Sequence, residues 1–204
     1  MTPYNKPDYW SLKAQKEGYP ARSVYKLKEI DKKFGLLRSG HTNFRVLDLG
    51  AAPGCWSLYA LQRLKTQGFL LAADMSPLAS QYGKEYFEGK NFLFTQGDIT
   101  AEETMKFIAS YSPFNLVISD AAPATTGNRS IDAFRSFDLA ETALDYGKTV
   151  LVKGGNLVVK VFQGGGAPNL LKRIREDFFS AASFKPKACR QESFETYYIG
   201  LGKK

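Results

Sequence analysis

The sequence predicts one α/β domain built on a mostly parallel β-sheet with helices packed against it. Three observations carry that prediction. Short β-branched runs alternate with stretches of helical period, the pattern of strands joined by crossover helices. One run, Val46-Leu47-Asp48-Leu49, feeds a small-residue turn, Gly50-Ala51-Ala52-Pro53-Gly54, that opens a helix. The 204 residues suffice for one sizeable domain, and no linker, repeat or low-complexity stretch divides them.

After a basic leader, Ala21 to Phe34 carries the helical stripe Val24, Leu27, Ile30 and Phe34, with Gly35 as its stop. Arg45 to Leu49 is the first strand, followed by the turn and a helix from about Cys55. Phe69 to Ala73 and Asn91 to Thr95 are the second and third strands. Thr100-Ala101-Glu102-Glu103 reads as a capping box opening a helix. Asn115 to Ser119 is the fourth strand. A long helix from about Ser130 is expected to end at Gly154-Gly155, with Lys153 as a cation at its C-terminus. Asn156 to Phe162 is the fifth strand. Pro168 starts a helix with Leu170, Leu171, Ile174 and Phe178 inward, and Glu195 to Leu201 is the last strand.

Hydrophobic content of 44% and charged content of 24% are those of a soluble globular protein. No apolar run approaches the ~18 residues that cross a bilayer, and Met1 to Lys6 lacks signal-peptide character. Cys55, Cys189 and His41 are too few for a zinc site or a disulfide framework, so no metal is expected and a reducing cytoplasm is. The net charge of +8 points to a polyanionic partner. Residues 1–38 hold nine Lys/Arg against four acids, interleaved with Tyr4, Tyr9, Trp10, Tyr19 and Tyr25. Rings among cations suit unpaired bases, although a solvated helix face with anchoring aromatics has the same composition.

The turn at Gly50 to Gly54 is not the glycine pattern of dinucleotide binding. Its glycines are four apart, and Pro53 removes an amide that a pyrophosphate would use. Small residues there still let a ligand approach the backbone at the C-terminal edge of the sheet. Asp74, 20 residues beyond Gly54, ends the second strand where a carboxylate accepts from ribose hydroxyls. Asp98 follows the third strand within reach of an adenine amino group, and Asp120 follows the fourth, facing the reaction centre. Singly, each reads as a loop acid or helix cap; three at matching strand ends read as one pocket.

Lys160 interrupts the apolar run Asn156-Leu157-Val158-Val159-Lys160-Val161-Phe162. A lysine inside a strand buried on both faces is costly unless paired, and burial with neighbouring positive charge turns an amine into a base usable near neutral pH.

Leu47-Asp48-Leu49-Gly50-Ala51-Ala52-Pro53-Gly54-Cys55-Trp56-Ser57, Ser119-Asp120-Ala121-Ala122-Pro123 and Val158-Val159-Lys160 resemble the FtsJ/RrmJ family of S-adenosylmethionine-dependent ribose 2′-O-methyltransferases. So do Arg22-Ser23-Val24-Tyr25-Lys26-Leu27, Lys185-Pro186-Lys187-Ala188-Cys189-Arg190, Ser193 and Glu195-Thr196-Tyr197. The match runs from about Asp8 to the C-terminus. It implies a Rossmann-like methyltransferase fold: a seven-stranded, mostly parallel sheet with one antiparallel C-terminal strand and helices on both faces. It implies a methyl-donor site at Gly54, Trp56, Asp74, Asp98 and Asp120, and a catalytic tetrad of Lys26, Asp120, Lys160 and Glu195. Cys55 stands where the family usually has glycine and Cys189 where serine is common; both are small and bear on fine geometry.

Within that resemblance, Lys160 takes the proton of a ribose hydroxyl, Lys26 lowers its pKa and holds a nearby phosphate or hydroxyl, and Asp120 and Glu195 orient the two amines. The residues by themselves leave other readings open. Lys26 also fits a solvated helix lysine, Glu195 a cross-strand charge partner and Trp56 core packing. Thr125, Thr126 and Gly127 read as a flexible loop without chemistry. The absence of a paired-cysteine or Pro-Pro-aromatic signature favours RNA ribose as acceptor. The resemblance implies a uridine of large-subunit ribosomal RNA, with transfer RNA as the alternative, acted on by a monomer. A nicotinamide-dependent oxidoreductase would share the fold but has no use for Lys160 with Lys26. A noncatalytic RNA-binding protein would keep only the basic leader.

Overall fold

The computed structural model describes residues 8–37, 42–164 and 166–204. Tyr4, Lys6, Arg38 and His41 lie outside the described residues. The strands are β1 (Arg45–Leu49), β2 (Phe69–Asp74), β3 (Phe92–Gln96), β4 (Phe114–Ser119), β5 (Leu151–Phe162), β6 (Phe178–Phe184) and β7 (Glu195–Lys203). The helices are α1 (Tyr9–Lys16), α2 (Val24–Phe34), α3 (Cys55–Leu64), α4 (Lys84–Phe87), α5 (Glu102–Ser110), α6 (Arg129–Val150) and α7 (Ala167–Asp177). The strands form one sheet in the order β3-β2-β1-β4-β5-β7-β6. β1 to β5 pair in parallel, and β7 pairs antiparallel with both β5 and β6.

Alternation along each strand sends successive side chains to opposite faces, and each face carries its own core. Val46, Leu70, Leu116, Ile118 and Val158 meet α2 and α3 on one side. Leu47, Leu71, Val117, Leu157 and Val159 meet α6 and α7 on the other. Val24, Leu27 and Ile30 of α2 are buried as the stripe requires, and Gly35 ends that helix in the left-handed region. No described helix is long and apolar enough to cross a membrane.

One helix is additional to those expected, and three expectations need correction. α1 is a helix within the leader, capped by Asp8, whose carboxylate accepts from Ser11 N–H at 2.8 Å. The capping box does not form: Ala101 is the N-cap of α5, and the Thr100 hydroxyl donates to Asp98 at 2.8 Å instead. α6 stops at Val150, so Lys153 lies in β5 and not at a helix end. Gly154 and Gly155 form a bulge in that strand, where the register against β4 jumps from Phe114–Leu151 to Leu116–Asn156. Phe178 does not belong to α7. It begins β6, an edge strand that pairs with β7.

Candidate active site

The parallel strands deliver their C-terminal ends to one edge of the sheet, and the strand order reverses between β1 and β4, where open α/β sheets bind ligands. Gly50 makes the turn after β1 in the left-handed region, and a Cβ there would stand 2.6 Å from Ala121 Cα. Only glycine lets the β1 and β4 turns approach this closely. A cavity of about 700 Å³ opens at this edge, a size that suits a nucleoside-bearing ligand. Gly50, Asp74, Asp98 and Asp120 line it, and α6 adds Arg135, Asp138 and Leu139.

Asp74 is fixed by two backbone amides, from Ala52 at 2.9 Å and Ser76 at 2.7 Å, leaving each oxygen a further lone pair for a hydroxyl. Asp98 accepts the Thr100 amide and hydroxyl, both at 2.8 Å, and these bonds hold its pKa below the usual carboxylate value. Gly54 and Trp56 do not line the cavity. Gly54 is the positive-φ N-cap of α3 beside Phe87. Trp56 is core: its indole N–H donates to Ser23 C=O at 2.9 Å and its ring packs against Tyr197.

The four tetrad positions converge on the α2 and α3 side of the sheet. Lys160 is only 6% exposed. Its Nζ lies 3.0 Å from Asp120 Oδ1 and also donates to the Asp120 carbonyl, so the amine turns toward Asp120 and away from bulk water; of the four, only Asp120 lines the cavity. Lys26 reaches from α2 to Glu195 Oε2 at 2.8 Å, joining residues 169 apart in sequence. β7 enters antiparallel, which brings its first residue, Glu195, to the edge where the parallel strands end.

Tyr197 stands between the two pairs. It is opposite Lys160 in the β5–β7 register, and its hydroxyl donates to Asp120 Oδ1 at 2.7 Å. The sequence reading assigned it no role, although its period-two spacing from Glu195 places it on the same face. Burial alone would raise the Asp120 pKa, but Lys160, Lys26 and the Tyr197 bond lower it on balance. Burial likewise opposes charge on Lys26, yet Asp120 and Glu195 raise its pKa, so that amine stays cationic. Burial, Asp120 and Glu195 push Tyr197 well above the ordinary phenol, so it remains a donor.

Two further acids complete the electrostatics. Asp48 on β1 is fully buried; its Oδ2 accepts the Ser57 hydroxyl at 2.6 Å and its Oδ1 has no partner. Burial, with Asp120 and Asp74 adding to it, pushes its pKa up to about 7. Glu29 of α2 accepts the amides of Lys187 and Ala188 at 2.8 and 2.9 Å, docking the 185–190 loop onto α2. Burial raises the thiols of Cys55 to about 11 and Cys189 to about 12, so neither is a nucleophile at neutral pH.

The leader aromatics are mainly packing. Tyr19 and Tyr25 are buried, Trp10 leans on Tyr25 at 5.0 Å, and Tyr9 is exposed. Lys28 sits against the Tyr19 ring at 4.4 Å. The loop at 125–127 is anchored: Asp132 accepts from Thr126 N–H and Oγ1 at 2.8 Å and from Gly127 N–H at 3.2 Å.

The profile of the FtsJ-like methyltransferase family matches residues 19–203. The chain is 50% identical over 198 residues to the ribosomal RNA large subunit methyltransferase E of Treponema denticola, covering 97% of this chain and 96% of that protein. It is 46% identical over 197 residues to the protein of the same name from Oleidesulfovibrio alaskensis, covering 96% and 91%. Among solved structures, a ribosomal RNA methyltransferase from Plasmodium falciparum superposes with a TM-score of 0.75 at 25% identity, covering 91% of this chain and 98% of that one.

Proposed function

We propose that this chain, which belongs to the FtsJ-like methyltransferase family, methylates large-subunit ribosomal RNA at a ribose 2′-hydroxyl, most naturally of a uridine. It is an S-adenosylmethionine-dependent methyltransferase. The donor set of the cavity fits that cofactor. Asp74 offers free lone pairs to ribose hydroxyls and Asp98 to an adenine amino group. The aspartates, with a single arginine among the lining residues, favour a cationic ligand. When bound, the cofactor supplies a methyl carbon already activated by its sulfonium.

The observation that carries the reading is that Asp120 belongs to both the cavity wall and the Lys160 pair. A ribose hydroxyl must lose its proton as it attacks, and Lys160 is the buried amine paired with Asp120, which lines the cavity. In this reading Lys160 takes that proton. Asp120 holds the amine in line through its carboxylate and its carbonyl. Lys26, kept cationic by Asp120 and Glu195, holds the ribose oxygen or the adjoining phosphate. Alignment supplies on the order of 7–11 kcal/mol of such a barrier, and a positioned base typically adds 10²–10⁴-fold.

The leader helices α1 and α2 and the docked 185–190 loop expose Lys16, Lys32, Lys187 and Arg190 for the RNA backbone. The same reading has the protein acting as a monomer in the cytoplasm.

The test is methyl transfer to large ribosomal subunits and to deproteinised RNA, with digestion to nucleosides and detection of 2′-O-methylated product. Lys160→Ala should lose at least 100-fold in turnover while its S-adenosylmethionine Kd stays within a few-fold. Methylation of a base, or substantial turnover by Lys160→Ala, would overturn the reading.

A further inference from the structure

We infer that Phe134, with Ile131 and Arg135 on the same face of α6, is a stacking platform for an unpaired RNA base beside the methylated ribose, an inference that rests on the RNA reading above. Phe134 is 66% exposed and Ile131 is 44% exposed, three residues apart on one face of α6. That stripe continues one turn on into Arg135 and Asp138, both of which line the cavity. The apolar pair therefore adjoins the cavity-lining residues on their solvent side without lining the cavity itself.

The same end of α6 is fastened to the catalytic edge. Ser136 Oγ accepts the N–H of Phe162, two residues beyond Lys160, at 3.0 Å. Arg129 lies 5.7 Å from the centre of the Phe194 ring, next to Glu195, so the first turn of α6 carries a cation on the tetrad side of the helix. Nothing here has to order on binding. Asn128 caps the helix by accepting from Ser130 and Ile131 N–H at 3.0 and 3.3 Å, and Asp132 ties down the preceding loop.

A ring held at a fixed height stacks a base at small entropic cost, and the adjacent exposed Arg135 offers a cation to a flanking phosphate. A 2′-hydroxyl reaches the tetrad only when its nucleotide leaves the helical stack, which leaves a neighbouring base needing a new partner. Phe134 is that partner.

The experiment measures binding of a short fluorescent oligouridylate and methylation of large subunits by the full chain. Phe134→Ala and Phe134→Leu should each weaken oligonucleotide binding by about 5- to 150-fold, and Phe134→Tyr should restore it. Thermal stability and S-adenosylmethionine Kd should match wild type in all three. Phe179→Ala, which removes an exposed ring at the opposite end of the sheet, should bind RNA as wild type does. Wild-type affinity in Phe134→Ala would overturn the platform, as would full rescue by leucine. A wild-type dimer that Phe134→Ala dissociates would also overturn it, since a second copy would then be the occupant. In each of those cases the RNA reading survives if wild type methylates ribose. Absence of RNA methylation by wild type would instead sink the parent reading, and the platform with it.

Discussion

Tyr197 donates its hydroxyl to the Asp120 oxygen that also faces Lys160, at 2.7 and 3.0 Å respectively. One carboxylate oxygen thus serves a phenol from β7 and an amine from β5, and the phenol fixes where the amine points. Tyr197 acts through Asp120, which makes it a positioning residue.

Tyr197→Phe keeps the ring against Trp56 and removes only the hydrogen bond. A hydrogen bond to a charged group contributes about 1.5–3 kcal/mol, so kcat should fall roughly 10- to 100-fold with S-adenosylmethionine Kd little changed. The Asp120 pKa should rise, because one of the bonds holding it down is gone. A variant with wild-type kcat would reduce Tyr197 to packing.

Glu195→Gln leaves the shape of the Lys26 pair and deletes its charge. Breaking a buried ion pair costs about 3 kcal/mol, which for a chain of this size lowers Tm by roughly 6–12 °C near neutral pH. The raised Lys26 pKa means that this stabilisation is fully present below the ordinary lysine value of 10.5 and is lost as pH climbs through the folded-state value. The gap in Tm between wild type and variant should therefore narrow above pH 10.5. A gap that stays constant with pH would mean that Glu195 acts by shape and not by charge.

Asp48 should make stability fall with rising pH. Its folded-state pKa of about 7 lies above the ordinary carboxylate value of 3.8, so between those values the native state binds the extra proton and stability declines as pH rises. Asp48→Asn mimics the protonated acid and still accepts from Ser57. Melting curves should show a wild-type Tm that falls from about pH 4 to about pH 7, and a visibly flatter curve for the variant. Parallel curves would show that Asp48 is ionised throughout.

Elements that rest on local periodicity were legible in the chain. The Val46-to-Gly54 strand and turn, the α2 stripe and the matching of Asp74, Asp98 and Asp120 to strand ends follow from spacing alone, because side-chain direction repeats every 2 or 3.6 residues. The lysine at position 160 was legible for a related reason: a charge inside an apolar strand is improbable unless something pairs with it.

Tertiary structure decided what spacing cannot encode. Phe178 continues the apolar stripe of α7, and only the antiparallel register with β7 pulls it into a strand. Gly154-Gly155 has the composition of a helix stop but becomes a bulge because β5 must stay paired with β4. Trp56 is held in the core by a carbonyl 33 residues away. Lys26 meets Glu195, and Tyr197 meets Asp120, across 169 and 77 residues. Such contacts form between segments whose separation along the chain sets no phase, so no periodic signal announces them. They exist because the packed sheet brings those side chains to one edge, where each buried charge must find a partner.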